Sequence, residues 1–217
     1  MIAYLHGFAS DPNGTKAQFL KARLAGLGAA LLIPDLTPDF THTTITSQLA
    51  IVEALLTDAP SVLVGSSLGG YLATLVATRN PGRVAGLVLL APAFDFATRW
   101  ATRIGAATMA RWRADGVMNV MHYARDREEP LAITLLDDAH RYPAEPDPTC
   151  PALVLAGRHD DAVPLAVVEH FARQRPQMRE LVVYETGHDL IAALDPLTDR
   201  TVDFLRARGV LPGEPRA

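Results

Sequence analysis

The sequence predicts an α/β fold, a doubly wound and mostly parallel sheet of about six strands with a helical insertion. Three observations carry that prediction. Short runs rich in Val, Leu and Ile recur along the 217 residues. They alternate with longer stretches of helical period. The runs also lack the polar alternation of a sheet with one wet face, so each strand is expected to be covered by helices on both sides. Right-handed crossovers through those helices follow from the alternation.

Taken in order, strands are expected near 2–5, 29–33, 61–65, 86–91, 152–157 and 181–185. Helices are expected near 15–26, 44–57, 69–79, 165–173 and 196–207. Pro34, Pro60, Pro81 and Pro176 punctuate them, since proline lacks the N–H that continued helix or ladder pairing needs. The exception to the alternation runs from about Phe94 to Thr149, far longer than the dozen or so residues a plain crossover requires. A helical cap is expected there. Phe96, Trp100, Ile104, Met109, Trp112, Val117, Met118, Val120 and Met121 supply its apolar side; Arg99, Arg103, Arg111, Arg113, Arg125 and Arg127 supply its polar face. Trp100 and the methionines serve either to glue the insertion to the core or to line a pocket. The reading is one domain over 1–217, with its core in 1–93 and 150–217 and the cap at about 94–149.

Composition narrows the function. A content of 49% apolar residues can fill the core of a domain this size. The net charge of -4 leaves no basic footprint for nucleic acid. A single cysteine, Cys150, permits no internal disulfide and fits a reducing compartment. No leader pattern opens the chain and no apolar run reaches the roughly 18 residues of a membrane span, so the expectation is a cytoplasmic protein without one. There is no Gly-rich phosphate cradle, no His-Glu-x-x-His pair and no dinucleotide fingerprint. Neither cofactor nor metal is expected, and His159-Asp160-Asp161 on one loop do not make a metal cluster.

The most informative stretch is Val62-Leu63-Val64-Gly65-Ser66-Ser67-Leu68-Gly69-Gly70, a strand that breaks into Gly-x-Ser-x-Gly and then into an alanine-rich helix. This is the pattern of a nucleophile elbow. Gly65 and Gly69 flank a serine held in strained dihedrals, where a Cβ on either side would strike the backbone. Ser67 would stand at the top of the sheet, above a helix N-terminus that favours developing negative charge. A serine hydroxyl is a poor nucleophile without a base, and the base needs an orienting acid. His188 follows the run Leu181 to Glu185, and Asp160 follows Ala152 to Ala156. The chain order is Ser, Asp, His.

Leu5-His6-Gly7-Phe8, the Gly65–Gly69 elbow, Gly157 to Pro164 and Gly187-His188 together resemble the α/β-hydrolase superfamily across nearly the whole chain. Gly14-Thr15-Lys16-Ala17 and the Leu63 to Gly70 string are similar to small bacterial serine esterases and abhydrolase-domain thioesterases. The start departs from the larger members: Met1 leads straight into the strand carrying the first loop, and their opening antiparallel strands are not expected.

That resemblance implies a serine hydrolase forming an acyl-enzyme at Ser67, with His188 as base and Asp160 as acid. The substrate would be a small carboxylic ester or thioester. The oxyanion hole would use the backbone N–H of Leu68, just after the nucleophile, and of Phe8, in the first loop. His6 is expected to hold that loop. The Gly-x-x-Asp-x-x-Val-Pro spacing favours Asp160 over Asp161; Asp95 remains an alternative acid, and Asp189 reads as a loop residue. His42, His122, His140, His159 and His170 read as structural. Phe8, Phe94 and Trp100 are candidates for the substrate pocket. Alternatives are a small-molecule receptor with a vestigial triad, acyl transfer, perhydrolysis, or C–C bond hydrolysis.

Overall fold

The structure is a computed structural model and describes residues 1–211. Five parallel strands form its sheet: β1 (Ile2–Leu5), β2 (Ser61–Ser66), β3 (Val84–Leu90), β6 (Ala152–Gly157) and β7 (Arg179–Tyr184), in the spatial order β1-β2-β3-β6-β7. Both faces are apolar. Ile2, Tyr4, Val62, Val64, Val88, Leu90, Leu153 and Leu155 point to one side, and Ala3, Leu5, Leu63, Leu87, Leu89 and Val154 to the other. The strand period of two is present but hidden, because each alternate side chain meets a different helix layer.

Helices α1 (Thr15–Ala25) and α8 (Leu194–Ala207) cover the first face through Ala17, Leu20, Leu24, Leu197, Val202 and Leu205. Helices α2 (Ile45–Glu53), α3 (Leu68–Arg79) and α7 (Leu165–Gln174) cover the second through Ile45, Leu49, Leu72, Leu75, Val168 and Phe171. Thr44 opens α2 as a capping box, its hydroxyl accepting the Ser47 N–H. Helix α2 stops at Glu53, short of the expected 57, because the Leu55 and Leu56 N–H groups close tighter turns onto Val52 and Glu53.

The strand expected at 29–33 is reduced to one bridge, between Leu32 and Ala3. Leu32 exchanges hydrogen bonds with Ile2 and Tyr4 at 3.0 and 2.7 Å, and Pro34 then removes the donor that further pairing would use. That bridge sits on the outer side of β1, so the chain reverses its direction of travel across the sheet between β1 and β2. The crevice at such a switch point is where ligands of doubly wound sheets bind. Phe8 and Ser67 follow those two strands.

Between β3 and β6 lie α4 (Phe96–Ile104), α5 (Ala106–Asp115), β4 (Val117–His122), β5 (Arg127–Ala132) and α6 (Thr134–Ala139). The expected purely helical insertion therefore contains an antiparallel hairpin, with Val117 opposite Ala132 and His122 opposite Arg127. Gly116, at φ 76°, ends α5 in the left-handed region, which breaks the helical repeat before Val117. Trp112 anchors the insertion: it is buried, and its indole N–H donates to the Leu131 carbonyl at 2.9 Å. Among the described residues, no helix is long and apolar enough to cross a membrane.

Candidate active site

Ser67 lies between β2 and α3 at φ 53° and ψ -117°, outside the usual regions for a residue with a side chain. Its backbone is over-determined. The N–H donates to Leu90 at 2.8 Å, and its carbonyl accepts the N–H groups of Gly70, Tyr71 and Ala93 at 2.9, 3.2 and 3.0 Å. Strain of this kind persists only where surrounding bonds fix it. A Cβ on Gly65 would lie 2.3 Å from the Gly69 carbonyl oxygen, and one on Gly69 would lie 2.1 Å from that of Leu5. The elbow glycines thus let β1, β2 and α3 converge under Ser67.

His188 reaches Ser67 from the loop after β7. Its Nε2 is 3.0 Å from Ser67 Oγ, and its Nδ1 is 2.8 Å from Asp160 Oδ2. A carboxylate only accepts, so Nδ1 carries the proton and Nε2 is left to accept from the serine hydroxyl. Asp160 Oδ1 accepts the N–H groups of Ala162 and Val163 at 2.9 and 2.7 Å. The Asp160 side chain is 2% exposed and that of His188 29%. The structure therefore brings Ser67, His188 and Asp160 into one hydrogen-bonded line. Asp161 is exposed at the cavity rim. Asp95 sits in the left-handed region at φ 52°, its N–H donating to the Ala144 carbonyl at 2.7 Å.

Leu68 is the first residue of α3, so its N–H has no acceptor within the helix. Phe8 enters from the first loop, where a Cβ on Gly7 would touch Ser67 Cβ and the Ser66 carbonyl oxygen, both at 3.3 Å. His6 holds that loop. Its Nε2 accepts the Leu36 N–H at 3.1 Å and its Nδ1 faces the Gly7 carbonyl at 3.1 Å. Burial pushes the His6 pKa below 6.5, which keeps it neutral.

Above the strand ends opens a cavity of about 1320 Å³, lined by Ser67, His188, Phe8, Phe96, Trp100, Ile104, Met118 and Val120 among others. Phe96, Trp100 and Ile104 recur at helical spacing along α4 and form its cavity face. The rings of Phe8 and Trp100 stand 4.8 Å apart, and those of Trp100 and Trp112 5.2 Å apart, so Trp100 joins the cavity wall to the buried anchor of the insertion. Phe94 is a correction to the expected pocket. It is buried against Phe171 at 4.5 Å, because its N–H turns back to Pro92 and Asp95 then redirects the chain.

The sequence reading did not single out Lys16 and Tyr123 as wall residues, although they line the cavity. The other histidines lie elsewhere: His42 pairs with Asp39, His159 with Glu185, and His170 with Gln174. His122 is buried with neither ring nitrogen bonded to protein. Among the described residues no group of three His, Cys, Asp or Glu side chains is placed to hold a metal ion.

Comparison with known proteins places the chain in a family. The model of an uncharacterised protein family, UPF0227, matches residues 1–205. The chain belongs to that family. This UPF0227 chain is also 28% identical over 177 residues to the palmitoyl-protein thioesterase ABHD10, mitochondrial, of Bos taurus, covering 75% of the chain and 58% of the relative. The human protein of the same name is 27% identical over the same coverage. The UPF0227 chain thus spans little more than half the length of these curated relatives.

Among solved structures, mouse alpha/beta hydrolase domain-containing protein 10 superposes with a TM-score of 0.79 at 22% identity, covering 95% of this chain and 89% of that one. Est1E from Butyrivibrio proteoclasticus gives 0.74 at 20%, covering 95% and 87%. The monoacylglycerol lipase of Paleococcus ferrophilus gives 0.76 at 15%, covering 95% and 94%. The fold of the UPF0227 chain is the α/β-hydrolase fold.

Proposed function

We propose that this protein is a serine hydrolase that cleaves small carboxylic esters or thioesters through an acyl-enzyme on Ser67. The observation that carries the reading is the continuous hydrogen-bonded line from Ser67 through His188 to a buried Asp160. His188 Nε2 takes the serine proton as Oγ attacks the acyl carbon, and Asp160 stabilises the imidazolium that forms. The N–H groups of Phe8 and Leu68 receive the oxyanion. Imidazolium then protonates the leaving alkoxide or thiolate. Water, activated by the same base, releases the acid and restores Ser67.

The apolar wall of Phe8, Phe96, Trp100, Ile104, Met118 and Val120 suits an acyl chain or an aryl leaving group. The names of the relatives, a palmitoyl-protein thioesterase and a monoacylglycerol lipase, support the ester-cleaving class. The single Cys150 suits residence in the cytoplasm.

A fluorophosphonate probe tests the reading. Labelling at Ser67, absent in Ser67→Ala and located by mass spectrometry, is the expected result. Folded protein that takes no label, and turns over no member of an ester and thioester panel of graded acyl length, would refute it.

A further inference from the structure

Lys16 breaks two local rules at once. It stands in the first turn of α1, Thr15-Lys16-Ala17-Gln18, with no acid beside it and an N-cap, Gly14, that offers no side chain. The positive end of the helix dipole disfavours a cation there. It is also half-buried in the cavity wall rather than extended into solvent, and a lysine's charge resists burial. Positions that violate several local preferences together mark function more often than packing.

What Lys16 touches gives the reason. Its Nζ donates at 2.8 Å to the carbonyl oxygen of Asp189, the residue directly after His188. Beyond that carbonyl the chain makes a sharp turn: Asp189 Oδ1 accepts the Ile191 N–H at 3.0 Å, and the buried Leu190 between them sits at φ 58°. Helix α1 itself follows the loop that presents the Phe8 N–H. One ammonium group therefore ties the first loop and its helix to the loop carrying the base, across 173 residues of sequence. Burial lowers the Lys16 pKa, while the carboxylates of Asp189 and Asp160 act the other way and favour the protonated amine.

We propose that Lys16 is a positioning residue for His188: its ammonium clamps the Asp189 carbonyl and so sets the base over Ser67. This rests on the serine hydrolase reading above. A clamp of this kind acts on the chemical step more than on substrate binding, since displacing a base by a fraction of an ångström costs rate.

The test compares wild type, Lys16→Met, Lys16→Arg and Lys16→Gln, with a p-nitrophenyl ester for kcat and KM and a fluorophosphonate for the labelling rate of Ser67. Lys16→Met is expected to lower kcat and labelling about tenfold to a hundredfold, with KM within about twofold. Lys16→Arg is expected to recover most of both. If Lys16→Met does not fold, Lys16→Gln, whose shorter side chain carries its donor less far, should still lower kcat and labelling with KM within about twofold. Wild-type rates in Lys16→Met or Lys16→Gln would overturn the proposal while leaving the triad reading intact, as would a change confined to KM. A wild type that neither labels nor turns over ester would overturn both.

Discussion

Gly157 and Gly187 press together backbone to backbone: a Cβ on Gly157 would lie 2.4 Å from the Gly187 carbonyl oxygen and 2.5 Å from that of Thr186. Gly157 ends the strand before the Asp160 loop, and Gly187 precedes His188. The two loops are therefore held in register by main chain, and the 2.8 Å approach of Asp160 to His188 follows from it. The backbone bond from the His159 N–H to the Thr186 carbonyl, at 3.0 Å, joins the same two loops.

Gly157→Ala should consequently separate the acid from the base. Neither obstructing oxygen belongs to a flexible side chain, so the loops themselves must shift. Overpacking of this kind costs about 1–3 kcal/mol. Thermal unfolding should show that loss. Turnover measured well below the lowered melting point should fall by a larger factor than stability alone explains. Unchanged turnover in the folded variant would argue that the contact is structural only.

Asp160→Asn should lower kcat by about 10³- to 10⁴-fold, because an amide in that place permits the wrong imidazole tautomer. Asp161→Asn should keep most activity, since that residue is exposed and it is Asp160, not Asp161, that bonds His188. Steady-state kinetics on one ester separates the two; the opposite ranking would reassign the acid.

Ser67, His188 and Asp160 could be read from sequence because each sits in a short-range signal. The glycines at 65 and 69, the Asp-x-x-Val-Pro spacing and the Gly187-His188 pair are local consequences of tight turns. The five strands of the sheet were equally legible, their length and apolarity being fixed by burial on both faces, whereas the run at 29–33 makes only one bridge. The β4–β5 hairpin was not, because Val117, Met118, Val120 and Met121 lack a polar alternation and only the φ of Gly116 separates them from α5. Phe94 was misplaced because its direction depends on the left-handed turn at Asp95, which no neighbouring residue announces. The contact of Lys16 was not legible for a third reason: its partner is 173 residues away, and the Gly14-Thr15-Lys16-Ala17 string carries no signal of it.

Trp100 and Trp112 should separate under mutation although their rings touch. Trp112→Phe leaves the buried Leu131 carbonyl without its donor, which costs about 1–3 kcal/mol; urea unfolding should show that loss with little change in KM. Trp100→Ala removes the ring that faces Phe8 in the cavity wall. Its effect should fall on KM, and most strongly on esters with longer acyl chains. Equal effects of both changes on KM would mean that the insertion moves as one body.

His122 should make stability fall in mild acid. Burial first, and then the nearby Arg125, lower its pKa below 6.5, while Glu129 and Asp11 act more weakly the other way. Above pH 6.5 it is neutral in both folded and unfolded chains. As pH falls through 6.5 the unfolded chain takes up the proton and the folded one resists, so stability is lost until the pH passes the folded value. His6, also lowered by burial, adds to the same slope. Neither nitrogen of His122 has a protein partner and its ring packs edge-on against Phe40 at 4.7 Å. An apolar side chain of similar volume loses no hydrogen bond to protein there. His122→Leu is therefore expected to raise stability by about 1 kcal/mol and to flatten, without abolishing, the decline of melting temperature below pH 6.5. A variant that is less stable, with the decline unchanged, would mean that His122 is satisfied by bound water and contributes nothing to the acid slope.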